Sequence, residues 1–193
     1  MLGVILKYRF PVHIITKSDL VTRDFDLLHR IEKQAILPAD LQGVLSRKVF
    51  ITFSFSTIDD GIGHIFEPGA TPPSIRLGTL NEAYTNGFKT GVSMMPLLPY
   101  ISDTGQHLEE MFSAFKYAGA QYIFPSTITL FGNDRSDSKT LVFKAVEKHY
   151  PHLLKKYHEL FSNSTNLPAY YNQAFAKKAK GLSDKYGLRN DLY

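Results

Sequence analysis

The residues able to do chemistry fall in short segments, each just beyond an apolar, strand-like run. Thr16-Lys17-Ser18 follows the first run, with Arg23-Asp24 soon after. Ser54-Phe55-Ser56-Thr57 and then Glu67-Pro68 follow the second. Pro96-Leu97-Leu98-Pro99 and Ser102-Asp103 follow the third, and Leu130-Phe131-Gly132-Asn133-Asp134-Arg135 follows the fourth. A lysine offers a compact positive charge to a carboxylate or phosphate. Hydroxyls donate and accept, which suits a ribose. The set therefore fits a small zwitterionic or nucleotide-like ligand. Hydroxyls and Asp at strand ends also build turns and helix caps, so the elements that carry them decide between the two readings.

Four runs read as strands: Pro11 to Thr16, Val49 to Ser54, Lys89 to Met95, and Gln121 to Phe124, the last with a possible continuation to Leu130. Their near-continuous apolar character suits a parallel sheet covered by helices. Between them lie helical patterns. Asp24 is placed to cap one with Phe25, Leu28 and Ile31 on its buried face. Pro72-Pro73-Ser74 opens the next, which carries Leu77, Leu80 and Tyr84 and ends at Gly87. Asp103 to Gln106 resembles a capping box before the stripe Leu108, Met111, Phe112 and Phe115, which Gly119 ends. Strand–helix–strand repeats of this kind imply right-handed βαβ units, with functional groups at the C-terminal strand ends. The expected fold is α/β: a partial (β/α) barrel of about four parallel βα units over residues 1–137, then a helical extension over 138–193. In that tail, Thr140 to Phe161 reads as helix with a break at Tyr150-Pro151, and Asn172 to Tyr186 reads as another. Four units leave an open edge strand and an uncovered inner face, which invites pairing.

Composition narrows the chemistry. With 44% hydrophobic residues over 193 positions, the chain can bury a core. It contains no cysteine, which removes disulfides, thiolate zinc sites, cysteine nucleophiles and self-ligated iron–sulfur clusters. The seven histidines form no metal-binding pair, and no metal site is expected. No phosphate loop, GxGxxG run or Gly-x-Ser-x-Gly elbow appears. No apolar run approaches a membrane span, and the N-terminus lacks a signal-peptide pattern, so a cytoplasmic location is expected. Charge is uneven. Residues 139–193 hold ten Lys and Arg against four Asp and Glu, whereas 1–138 hold twelve against fourteen. A basic tail reads as a solvated helical face or as a contact for phosphates.

The motif order adds a resemblance. Ile15-Thr16-Lys17-Ser18 with Arg23-Asp24-Phe25-Asp26-Leu27-Leu28 resembles a stretch of the radical S-adenosylmethionine (SAM) proteins of the spore photoproduct lyase and DNA-repair-photolyase-like group. Phe53 to Thr57 is similar to their next, serine-bearing strand, and Phe66 to Leu77 is similar to their segment with Glu-Pro, Pro-Ser and Arg. The ordered series covers roughly residues 10–135 and corresponds to the C-terminal part of the barrel. The resemblance implies SAM as cofactor, with Lys17 on its carboxylate and Ser54 and Ser56 near its amino-acid or ribose moiety. Glu67 and Arg76 match motif positions and fit a structural ion pair equally well, and no catalytic residue is assigned. The family's Cys-x3-Cys-x2-Cys motif, which ligates a [4Fe–4S] cluster, has no counterpart here. A cluster is expected only if a missing N-terminal segment is supplied, and the chain alone is expected to be inactive. Implied partners are a cysteine-bearing N-terminal half or a second copy. The alternative is a non-catalytic scaffold that binds a partner, or DNA, through Lys155, Lys156, Lys177, Lys178 and Lys180.

Overall fold

The computed structural model describes residues 1–162 and 164–192. Four strands form one parallel sheet in chain order: β1 (Val12–Thr16), β2 (Val49–Ser54), β3 (Lys89–Leu97) and β4 (Tyr122–Thr127). Among the described residues eight α-helices accompany them: α1 (Leu2–Lys7), α2 (Phe25–Gln34), α3 (Asp60–Phe66), α4 (Pro73–Thr85), α5 (Gly105–Tyr117), α6 (Ser138–His149), α7 (Leu154–Leu160) and α8 (Ala169–Tyr186). This is the α/β architecture of a partial (β/α) barrel. Strand β4 stops at Thr127, and Thr129 instead makes an isolated antiparallel bridge with Asn166.

The period-2 rule of strands sorts the sheet into two faces. The outer face carries Ile14, Ile51, Phe53 and Val92, packed against Leu28 and Ile31 of α2, Leu80 of α4, and Met111 and Phe115 of α5. The inner face carries His13, Phe50, Thr52 and Tyr122. The rings of His13, Phe50 and Tyr122 meet edge to face with centroids 6.1–6.5 Å apart, closing the floor of the half-barrel. A hydrogen-bond chain crosses it: His13 Nε2 to Thr52 Oγ1 at 2.6 Å, then Thr52 Oγ1 to the Tyr122 hydroxyl at 2.7 Å. Burial pushes the His13 imidazole below its ordinary value and raises the Tyr122 phenol, so both groups sit neutral in this chain. Gly91 pairs with Tyr122 in register, and a Cβ at Gly91 would run into the Tyr122 ring.

A second core lies under the loops that leave β3 and β4. Leu98, Ile128 and Leu130 pack there with Val146 of α6, Leu160 of α7 and Tyr157, whose hydroxyl donates to the Pro99 carbonyl at 3.0 Å. Helix α8 returns to the first core through Ala179 and Leu182. The chain then crosses the outer edge of β4, where Ile123 N donates to Arg189 O at 2.7 Å.

Two expected caps differ. Asp24 makes no capping bond, because Ser18 already caps a 3-10 segment, Asp19–Asp24, that runs into α2. Thr104, not Asp103, caps α5 through the His107 amide. Asp103 instead accepts from Tyr100 N at 2.7 Å and the Tyr171 hydroxyl at 2.6 Å. The last helix starts three residues earlier than its apolar spacing indicates, at Ala169 behind Pro168. Leu2–Lys7, an apolar patch by sequence, forms α1.

Two glycine variants test this packing. Gly91→Ala must displace the buried Tyr122 ring and should lower stability by about 1–3 kcal/mol. Gly78 in α4 has open space at its Cβ position, so Gly78→Ala should raise stability by about 0.5–1 kcal/mol. Denaturant unfolding of the two variants should therefore give midpoint shifts of opposite sign.

Candidate functional site

The sequence places Arg76 on α4 beneath the end of β2, and the fold buries its side chain completely. A buried guanidinium needs partners, and it has three. Nη1 donates to the Ser54 carbonyl. Nη2 pairs with Glu67 Oε2 at 2.5 Å. The guanidinium carbon lies 5.0 Å from the Phe55 ring centroid, within cation–π range. Glu67 ends α3, and its other oxygen, Oε1, accepts from Lys17 Nζ immediately after β1. One carboxylate thus ties the ends of β1 and β2 to α3 and α4. Burial alone would raise the Glu67 carboxyl; the Lys17 ammonium, the nearby Ser56 hydroxyl and the Arg76 charge more than offset it, and hold it below its ordinary value of 4.5.

Beside this cluster lies a cavity of about 240 Å³. Lys17, Ser56 and Glu67 form its polar side. Phe66, Pro96, Leu98, Ile128, Leu130 and Val142 form its apolar walls, with Thr129 and Ser138 at the margin. It sits at the C-terminal ends of the strands, where α/β barrels place functional groups. The Ser56 hydroxyl is buried there, near enough to the Glu67 carboxylate to lower it, but makes no hydrogen bond of ordinary geometry. A buried hydroxyl without such a bond is costly, and here it faces a cavity.

The structure thus brings Lys17 and Ser56 together. Ser54 is separate from them: its hydroxyl donates to the Met95 carbonyl at 3.2 Å, and it does not line the cavity. The remaining strand-end polar residues build turns. Ser18 N donates to Thr16 Oγ1 at 2.9 Å, and Leu98 N donates to Ser102 Oγ at 2.9 Å. Arg23 and Asp24 pair at the surface at 3.2 Å. Asn133, Asp134 and Arg135 are exposed. Sequence reasoning did not single out Val142 and Ser138, which enter from α6, because only tertiary packing carries the tail to the strand ends. Among the described residues no group of three or more His, Cys, Asp or Glu is placed to hold a metal, and no helix is long and apolar enough to cross a membrane.

No protein-family model matches the chain. An uncharacterized protein of Mycobacterium tuberculosis is 24% identical over 192 residues, covering 99% of this chain and 52% of its own length. An uncharacterized protein of Acidianus two-tailed virus is 28% identical over 158 residues, covering 75% of this chain and 48% of its own. The chain therefore spans about half the length of the curated relatives it matches. Among solved structures, spore photoproduct lyase complexed with dinucleoside spore photoproduct superposes with a TM-score of 0.54 at 14% identity, over 91% of this chain and 48% of that one. A point mutant of spore photoproduct lyase gives the same TM-score, 0.54, at 13% identity and the same coverage. What the two share is the fold, an α/β arrangement of strands and helices over about half of that structure.

The charge cluster predicts a pH dependence. Glu67 titrates lower in the folded chain than in the unfolded one. Its stabilisation is therefore fully present above the unfolded-state value and is lost as pH falls through the depressed one. Glu67→Gln should cost about 3 kcal/mol at neutral pH, because it leaves Arg76 buried without its counter-ion. The gap to the parent chain should close on acidification. Denaturant unfolding across that range checks this, and a gap independent of pH would refute the assignment.

Proposed function

We propose that this chain is one half of a radical SAM-like barrel and that its strand-end cavity receives the amino-acid end of SAM. The observation that carries the reading is the Ser56 hydroxyl, buried without a hydrogen bond of ordinary geometry and facing a cavity beside the Lys17 ammonium. Lys17 would hold the carboxylate and Ser56 would donate to the same end, with Ser54 on the adjoining inner face toward the ribose. SAM, when bound in a complete radical enzyme, supplies the radical chemistry. The residues present do not fit the companion [4Fe–4S] cluster, because the sequence has no thiolate to ligate it. The chain on its own then binds without reductive cleavage, and its partner is a polypeptide that brings the cysteine loop. The open edge of β1 supports such pairing.

A second reading, nucleic-acid binding, is favoured by one surface. Tyr100 is 38% and Tyr170 is 67% exposed, and Lys156 Nζ lies 4.8 Å from the Tyr100 ring centroid. Lys155, Lys177 and Lys178 are exposed on the same two tail helices. Exposed rings among lysines suit bases and phosphates, although Asp103 and Glu159 also lie near Tyr100.

Amide NMR titration with SAM tests the first reading. Weak, saturable shifts should appear at Lys17, Ser56 and Glu67 and should shrink in Ser56→Ala. A spectrum unchanged at millimolar SAM would sink the reading. Anaerobic reconstitution with iron and sulfide should give no cluster absorbance. For the second reading, anisotropy of a labelled oligonucleotide should fall steeply with salt, and Lys155→Glu with Lys177→Glu should weaken binding. Indifference to both salt and charge reversal would remove it.

A further inference from the structure

The N-terminal ends of the strands, opposite the strand-end cavity, carry a cleft of about 370 Å³, within the roughly 300–1,000 Å³ of small-molecule sites. Arg9 before β1, Lys33 on α2 and Lys48 before β2 line it, and none of its lining residues is acidic. Its apolar wall is Ala35, Ile36 and Leu37, where the chain leaves α2, and Ile36 is 54% exposed. Among the described residues the side chains of Arg9, Lys33 and Lys48 form no ion pair. Glu32, the acid beside Lys33 in the chain, is already committed. Its Oε1 accepts from Arg47 Nε at 3.0 Å, and its Oε2 accepts from Lys48 N at 3.1 Å and Val49 N at 2.8 Å.

Helix ends account for part of this charge. Arg9 has a φ of 59°, in the left-handed region where a helix end favours glycine. It closes α1 there, with Phe10 N on Ile5 O and Arg9 N on Leu6 O, both at 3.1 Å. Its Nε donates to the Gln34 carbonyl at the end of α2 at 2.9 Å, and among the described residues Nη1 and Nη2 make no hydrogen bond to the protein. Lys33 stands in the last turn of α2, where a cation suits the helix dipole. Lys48 ends no helix. We infer that the cleft binds a dianionic phosphate monoester whose apolar or planar body lies on Ile36 and Leu37. The free fork of Arg9 meets two phosphate oxygens at once, and the two lysines act as point charges. A carboxylate or a phosphodiester brings one negative charge to three positive ones, whereas a monoester brings about 1.5 to 2 at pH 7.

The experiment is an amide NMR titration of the full chain with phenyl phosphate, phenyl sulfate, inorganic phosphate and an oligothymidylate without terminal phosphates. Phenyl phosphate should give saturable shifts at Lys33, Ile36 and Lys48 and leave Lys17 and Ser56 unmoved. Phenyl sulfate, alike in shape with a single charge, should bind about ten-fold more weakly. Inorganic phosphate should also bind more weakly, for want of the apolar contact. Lys33→Gln, at an exposed position with no partner in the fold, should weaken phenyl phosphate about ten-fold, the worth of one charge-assisted hydrogen bond, with the unfolding midpoint unchanged. Lys33→Gln combined with Lys48→Gln should abolish binding. Equal affinity for phenyl sulfate would overturn the preference for a dianion. Shifts that spread to the lysines of α7 and α8 and persist in the double variant would mark general attraction to a basic chain and overturn the site. Stronger shifts with the oligothymidylate would assign the cleft to a nucleic-acid backbone and overturn the monoester, and no shift at these residues at millimolar phenyl phosphate would overturn the inference as a whole.

Discussion

The strand ends depend on one buried charge. Arg76 is fully enclosed, and a guanidinium in that position is tolerable only with its partners fixed. Those partners are the Ser54 carbonyl, the Glu67 carboxylate and the Phe55 ring. Two of the three belong to the C-terminal end of β2, and the third ends α3. Glu67 has a second oxygen to satisfy, and Lys17 is the group that reaches it. The positions of the two residues most able to bind a ligand thus follow from the need to neutralise a third that never touches solvent. Burial raises the cost of separating any member, so the rim of the half-barrel is stiff where the cavity opens.

The sheet has two edges, and the chain treats them differently. On β4 the backbone groups of Ile123 are taken by Arg189 and by the Asn190 side chain, and Pro125 offers no amide to a further strand. That edge is closed. On β1, Val12 N donates toward β2 through the Lys48 carbonyl. Alternation in a parallel ladder then turns the amides of His13 and Ile15 the other way, and Ile15, whose side chain shares the inner face with Thr52, is 61% exposed. Within Val12–Thr16 there is no proline or lysine; Pro11 and Lys17 stand only at its two ends. Helix α1 packs beside α2 just before β1, and the right-handed crossover rule puts any strand feeding α1 on this open edge. Two copies cannot simply close one barrel, because the closed β4 edge would have to meet the open β1 edge. Of the two edges, β1 has free amides for a further parallel strand, and β4 does not.

The sheet was legible in the sequence because parallel, doubly covered strands are short and continuously apolar, as in Val49 to Ser54, where every residue is buried. The helices facing it were legible for the complementary reason: Leu28, Ile31, Met111 and Phe115 recur at helical spacing and all reach the core. Caps were not, because Asp24 and Ser18, or Asp103 and Thr104, offer competing acceptors within a few residues, and tertiary partners decide between them. Asp103 shows this well: its carboxylate goes to Tyr171, a residue 68 positions away. The candidate site was half legible. Lys17 and Ser56 stand at strand ends, a position the barrel rule singles out. Val142 comes from a helix whose sequence reads as an ordinary amphipathic tail. Nothing local in either segment says that they meet.

Stability and binding share the same atoms here, which determines which observations can separate them. Glu67 neutralises Arg76 and also lines the cavity, so changing it alters the fold and the site together. Lys17 is partly the same case, because its removal leaves one oxygen of a buried carboxylate unpaired. Ser56 and Val142 are different. The Ser56 hydroxyl makes no hydrogen bond of ordinary geometry and has only its weaker tie to the nearby Glu67 carboxylate to lose, so replacing it by alanine should cost the fold little. Loss of ligand binding without loss of stability at Ser56 has no structural explanation. A buried hydroxyl that faces a cavity without an ordinary hydrogen bond has room to meet a partner from outside at little cost to the packing around it.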